Sequence, residues 1–304
     1  MTILISGGTG FIGQALVKKM KERGDVAILL TRDPERLKRR FPSSVEIVRW
    51  DGMSPGDWCS IVERANAVVN LAGESIGDHR WSRRQKELIV GSRVNATRAI
   101  VQAIASAQKK PEVFVNASAV GFYGSTGEDV VTEDRGRGEG FLAETCARWE
   151  AEAAPAKTYC SRIVILRMGV VMGERGGALD RMLIPFKLFV GGPLGSGLQW
   201  FPWVHLVDLI SAILFVLDNP RLTGPVNIAA PQAVRMKEFC SQLGNALGRP
   251  SWLPVPAFAL RTLLGELSTM VLTGQRVVPA QLTNAGFVFR FPDLFSALQD
   301  LFGR

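Results

Sequence analysis

The run Gly7, Gly8, Thr9, Gly10, Phe11, Ile12, Gly13 carries the chain's clearest chemistry, the binding of an anion by backbone amides. Gly7 permits a tight turn, Gly10 lets the backbone approach a pyrophosphate, and Gly13 lets a helix pack closely on a strand. A helix starting here turns free N–H groups and a positive dipole end toward phosphates. The glycine spacing alone is a weak signal, but between a strand and a helix it predicts a dinucleotide site. Thr31-Arg32, closing the second strand, bears on which dinucleotide. An acidic residue there would accept the ribose 2′-hydroxyl of NAD, whereas a guanidinium suits the 2′-phosphate of NADP. Asp33 follows directly, so Arg32 could instead open a solvated basic helix with Arg36, Lys38, Arg39 and Arg40. The expected cofactor is NADP(H). Asp51 is placed beside the adenine, Leu71, Ala72 and Gly73 beside the second ribose, and Gly169 and Val170 complete the set after the sixth strand.

Those residues need a frame of alternating strands and helices. Thr2–Ser6, Val26–Thr31, Val45–Trp50, Ala67–Leu71, Val113–Ser118 and Ile163–Met168 read as strands. Between them, Phe11–Arg23, Pro34–Arg40, Ser82–Ala107 and Phe141–Ala154 read as helices. This alternation implies right-handed crossovers and a parallel sheet covered on both faces. The expected fold is α/β: a Rossmann-type doubly wound parallel sheet over residues 1–173, then a smaller C-terminal substrate and helical region over 174–304 that returns elements to the main sheet. After Gly173, glycine-rich turns and the aromatics Trp200, Phe201 and Trp203 suggest pocket walls, and Met236–Leu247 and Phe258–Leu272 read as helices.

With 304 residues, 47% hydrophobic and 21% charged, the chain can bury a large core, which excludes a disordered protein. A formal charge of +8 favours anionic partners without choosing among them. The expected partner is a small-molecule substrate, anionic by the charge balance; nucleic acid is not expected, and the oligomeric state is left open. Four separated cysteines and two histidines predict no metal site and fit a reducing compartment. A strand beginning at Thr2 leaves no room for a leader, and no apolar run is long enough for a bilayer, so the expected location is cytoplasmic.

The glycine motif, Asn70–Glu74 (NLAGE), Arg80-Trp81, Ser92-Arg93, Ser118–Gly124 (SAVGFYG), Gly191–Gln199 (GGPLGSGLQ), His205–Leu209 (HLVDL) and Pro254–Phe289 resemble the extended short-chain dehydrogenase/reductase superfamily. Within it, the chain is most similar to an atypical epimerase-like branch. The resemblance implies a Tyr-xxx-Lys acid/base pair on the helix after the fifth strand. Here Leu142 and Cys146 stand at those positions, and neither Tyr123 nor Tyr159 is followed four residues on by lysine. The resemblance makes Ser118 the serine that polarises a substrate oxygen, though a strand-end serine can simply satisfy backbone groups. Tyr123 is the tyrosine near enough in sequence to donate a proton. His205 could assist, or could cap the helix it precedes. The resemblance also sets the long helix beside the cofactor, which makes Glu87 and Arg93 cofactor candidates, with Arg93 reaching the cofactor or an anionic substrate. Two functions lead, an NADP(H)-dependent epimerase-like oxidoreductase with a non-standard proton donor and a catalytically silent NADP(H)-binding redox sensor; a third, an RNA-binding offshoot, is encouraged only by the basic balance.

Overall fold

The computed structural model describes residues 1–38, 41, 45–174 and 176–303. Seven strands form one sheet: β1 (Thr2–Ser6), β2 (Val26–Thr31), β3 (Glu46–Arg49), β4 (Ala67–Asn70), β5 (Val113–Ala119), β6 (Arg162–Met168) and β7 (Gly224–Ile228). Their order is β7-β6-β5-β4-β1-β2-β3, and every neighbouring pair is parallel. The apolar strands alternate between two cores, because successive side chains of a strand point to opposite faces. Ile3, Ile5, Leu29, Val69, Val115 and Leu166 join one cluster; Leu4, Ile28, Val68, Phe114 and Ile163 join the other.

Helices α1 (Phe11–Arg23) and α2 (Pro34–Lys38) follow the first two strands. The remaining Arg39 and Arg40 of the expected basic helix lie outside the described residues. Helix α3 (Arg83–Ser106) starts behind Ser82, whose hydroxyl accepts from the Gln85 N–H. Ala96, Ile100 and Ile104 of α3 cover one face of the sheet, and α4 (Phe141–Ala153) packs beside it.

The region after Gly173 contributes α5 (Ala178–Lys187), α6 (Leu206–Asp218) and α7 (Met236–Leu247). Leu209, Ile213 and Leu217 of α6 complete the core opposite α3, and β7 is the returning element, pairing with β6 from Gly224↔Val164 to Ile228↔Met168. A third core gathers Leu183, Phe186, Trp203, Phe239, Leu294 and Leu298. The helix expected over Phe258–Leu272 is instead two, α8 (Ala257–Leu264) and α9 (Thr269–Leu272), joined by a 3₁₀ turn. Gly265 sits at φ +61 and ψ −137, a conformation open to glycine that ends α8, so the apolar periodicity runs across a break in the backbone. Helices α10 (Ala280–Asn284) and α11 (Leu294–Phe302) end the chain.

Candidate cofactor and substrate site

Strand β1 lies between β4 and β2, and the crevice beyond its C-terminal end is where an open α/β sheet accepts ligands. The glycine turn closes that end. A Cβ on Gly7 would lie 2.5 Å from the Leu71 carbonyl oxygen, and one on Gly13 would lie 2.3 Å from that of Gly7. Any larger side chain would push these segments apart and fill the cradle. Gly10, in extended conformation, precedes α1, and the helix has neither a side-chain cap nor an acidic residue in its first turn. Its first N–H groups remain available, so this geometry fits a pyrophosphate. Phe11 turns its ring under the loop after residue 172, where Cβ atoms on Gly173, Gly176 and Gly177 would come within 2.7, 3.1 and 3.0 Å of it. Ile12 is half-buried against the core, and Thr9 stays exposed.

At the end of β2 the two candidate residues separate. The Asp33 carboxylate accepts the Arg36 N–H at 3.1 Å, capping α2, and the Asp33 N–H donates to Thr31 Oγ1 at 3.2 Å. Arg32 is exposed, with its side chain over Gly52. Asp51 accepts the Met53 and Ser54 N–H groups, which hold its carboxyl below the usual range, and it borders a cavity of about 450 Å³ with Val48, Trp50, Pro55 and Trp58.

Asn70, which the sequence marks only as part of NLAGE, ties the strand ends together. It accepts from Ser6 Oγ at 2.5 Å and donates to Asn116 Oδ1 at 2.7 Å and to Thr97 Oγ1 at 2.8 Å; Trp149 Nε1 donates to the same threonine at 2.9 Å. All four polar residues are fully buried. This network fixes the course of Leu71, Ala72 and Gly73. A polar side chain inside an apolar strand was its available signal, since burial obliges it to find partners.

Arg93 is brought to this place. It is 7% exposed, and its guanidinium carbon would meet a Gly73 Cβ at 3.1 Å and lies 5.1 Å from the centre of the Trp149 ring. Nη1 donates to its own helix at Ile89 O, 2.9 Å. Burial lowers its pKa, opposed by the negative charge of Glu74. Cys146 is buried against the end of β5, and desolvation pushes its thiol up to about 11, so it stays protonated. Ser118 turns inward, donating to Glu150 Oε1 at 2.6 Å.

The remaining candidates are placed differently, and Tyr123 is tied to Ser118 only through Arg167 and Glu150. Tyr123 is fully buried; its hydroxyl donates to Asn227 Oδ1 at 2.6 Å and accepts from Arg167 Nη1 at 3.0 Å, and burial raises its pKa. A phenol so engaged in the core presents no free face to a substrate, against the proton-donor role expected of it. His205 is buried and caps α6, its Nδ1 accepting the Val207 N–H at 3.2 Å; of the two roles considered, the structure displays the cap. Glu87 is exposed and pairs with Arg83 at 3.0 Å, on a different face of α3 from Arg93. Gly169 and Val170 are half-buried and bridge to the neighbouring segment, Gly169 N–H to Ile228 O at 2.9 Å and Val170 N–H to Pro202 O at 2.7 Å. Trp203 is core.

Two family models match the chain. That of the NAD-dependent epimerase/dehydratase family matches residues 3–229, and that of a domain of unknown function, DUF1731, matches residues 255–301. The chain is 42% identical to an epimerase family protein SDR39U1 homolog, chloroplastic, of Arabidopsis thaliana, over 98% of this chain and 86% of the relative. Its structure is similar to that of human epimerase family protein SDR39U1 (isoform 2) with NADPH, at TM-score 0.88 and 33% identity over the whole of both chains. It is also similar to a nucleoside-diphosphate sugar epimerase from Corynebacterium glutamicum, at TM-score 0.77 and 29% identity, covering all of this chain and 59% of the other.

Proposed function

The chain belongs to the NAD-dependent epimerase/dehydratase family, and from that premise we propose that it is an NADP(H)-dependent epimerase-like oxidoreductase acting without a Tyr-xxx-Lys pair. The observation that carries the cofactor choice is the division of labour after β2: Asp33 is committed to capping α2, which leaves Arg32 to meet a 2′-phosphate. The NADPH named with the human relative supports the same reading. The Gly7–Gly13 turn would hold the pyrophosphate, Asp51 and its neighbouring cavity the adenosine end, and Leu71–Gly73 the second ribose.

When bound, the dinucleotide supplies a hydride at its nicotinamide. This chain's residues position the partner. Ser118, hydrogen-bonded to Glu150, holds the proton to be exchanged with a substrate oxygen at the end of β5. Its 1% exposure is what favours the second reading, a catalytically silent NADP(H) sensor, because a hydroxyl so enclosed must shift to touch substrate. A cytoplasmic location remains part of the proposal; it is supported by four unpaired cysteines, and among the described residues no helix is long and apolar enough to cross a membrane.

Cofactor titration tests the first part. Wild-type protein is expected to prefer NADPH over NADH, and Arg32→Ala to weaken NADPH by ~10–100-fold while leaving NADH unchanged. Equal loss of both cofactors in folded Arg32→Ala overturns the NADP assignment. A screen of carbonyl compounds following NADPH absorbance tests the second part. Turnover that falls by ~10²–10⁴ in Ser118→Ala supports the oxidoreductase, whereas tight NADPH binding with no turnover supports the sensor.

A further inference from the structure

Several large apolar side chains that the fold leaves in water lie on adjoining segments of the C-terminal region. Trp252 and Phe258 are 70% and 72% exposed, and Leu188, Phe189 and Val190 are exposed with them. The backbone sets these segments side by side. Leu253 N–H donates to Gly191 O at 3.2 Å and Val255 N–H to Pro193 O at 2.9 Å, so the chain after α5 runs along the chain before α8, whose first turn carries Phe258. Phe189 is held there against its own backbone preference: at φ +62 it is the one non-glycine residue with positive φ among the described residues. Its N–H donates to Phe186 O at 3.0 Å and the Val190 N–H to Pro185 O at 2.9 Å, which closes α5 with an aromatic residue at the left-handed position that glycine usually fills. Packing in a core does not account for that cost, because the side chain is exposed.

The charge around these side chains says what they would meet. Residues 181–207 and 239–265, which include both segments, hold no aspartate or glutamate. Of their cations, Lys187 ends α5, Arg249 lies over the Phe189 ring at 4.4 Å from its centre, and Arg261 stands one turn after Phe258 on α8; all three are exposed. Glu266, just beyond, is occupied by Lys86. A second copy of the chain docked here about a twofold axis would set these cations against themselves, with no acid to receive them. Exposed aromatic rings beside Lys and Arg fit an anionic bilayer surface instead, the rings at headgroup depth and the cations reaching phosphate. The formal charge of +8 adds to that attraction.

We propose that this face, with Phe189, Trp252 and Phe258 as its apolar contacts and Lys187, Arg249 and Arg261 beside them, docks the protein on the surface of an anionic lipid bilayer. The chain lies on the membrane and does not span it. The proposal stands apart from the cofactor reading, since none of these residues belongs to the glycine turn, the end of β2 or the loop after β4.

Vesicle sedimentation of the full chain tests it. Wild-type protein is expected to sediment with vesicles of phosphatidylcholine and phosphatidylglycerol in equal parts, and far less with phosphatidylcholine alone or at high salt. Trp252→Ser combined with Phe258→Ser removes two exposed rings. It should weaken the binding by ~10-fold or more while melting temperature and NADPH affinity stay unchanged. Arg249→Glu combined with Arg261→Glu should weaken it by at least ~10-fold as well. A wild-type protein that stays in solution with both kinds of vesicle overturns the proposal. So does a serine variant that binds as well as wild type, because net charge alone then holds the chain. Sedimentation velocity without lipid gives the remaining outcome: a wild-type dimer that the serine variant converts to monomer means that a second copy covers the face, and the membrane reading falls.

Discussion

Arg167 holds Tyr123 with one edge of its guanidinium and Glu150 with the other. Nη1 donates to the tyrosine hydroxyl at 3.0 Å, and Nε and Nη2 donate to the carboxylate at 3.0 and 2.8 Å. Its carbon lies 3.6 Å from the centre of the Phe122 ring. The arginine is 4% exposed, so the whole set is desolvated, and each bond in it is worth more than a surface contact. Tyr123→Phe removes the donor to Asn227 Oδ1 and the acceptor for Arg167 Nη1 together. It is expected to destabilise the protein by about 1–3 kcal/mol in urea unfolding, from buried groups left unsatisfied. NADPH affinity should not change, because no contact of the tyrosine reaches the glycine turn. A cofactor affinity that falls with the melting temperature unmoved would return Tyr123 to the ligand site.

At the scale of elements, α6 shows how a polar residue in an apolar segment is put to structural use. His205 caps its first turn, and Asp208, one turn in, accepts the Arg290 N–H at 2.7 Å and the Phe291 N–H at 2.9 Å, fastening the segment before α11. Burial holds the His205 imidazole neutral and lowers its pKa from 6.5 to about 4. The unfolded chain therefore takes up a proton as pH falls through 6.5, while the folded chain refuses it until about 4. Stability is lost across that window, by at most about 3 kcal/mol from this group. His205→Asn replaces the capping nitrogen by an oxygen acceptor that does not titrate, so its stability measured from pH 7 to pH 4.5 should fall less than that of wild type. Equal slopes would show that other groups carry the acid sensitivity. The same helix marks the limit of what the sequence discloses. The strands of the first two-thirds were legible from their apolar runs, and the glycine turn from its spacing, because both signals are local. The cap made by His205 is local too, and the sequence offered it, whereas the inward turn of Tyr123 and the burial of Arg93 depend on partners from distant segments, such as Asn227 and Gly73. Their residue types invite chemistry, and only the packing around them decides whether they are free to perform it. Phe258–Leu272 failed in a simpler way: its apolar pattern continues through Gly265, where the backbone does not.

Across the whole molecule, the C-terminal region is strapped to the loops that follow β4 and β5. Arg80 Nε donates to Leu263 O at 2.7 Å and also reaches Thr262 O, Lys86 pairs with Glu266, and Val278 N–H donates to Val131 O at 3.0 Å. The boundary after Gly173 thus separates two textures of sequence rather than two independent bodies. Strand β7 carries a consequence for the chain as it is made. Until residue 228 has left the ribosome, β6 has an open edge of unpaired amides and carbonyls. Until α6 has followed β6 out, Val164 and Leu166 lack the Leu209, Ile213 and Leu217 side chains that share their core. An open edge beside uncovered apolar surface recruits other chains, so the nascent protein passes through an interval of exposure that synthesis rate controls. Stalled chains with 173 residues emerged should be cut readily by protease and bind holdase chaperones, whereas chains emerged to residue 230 should resist cleavage within β1–β6. Equal protection at both lengths would mean that the first six strands close by themselves, and slow translation through residues 174–228 would then carry no hazard.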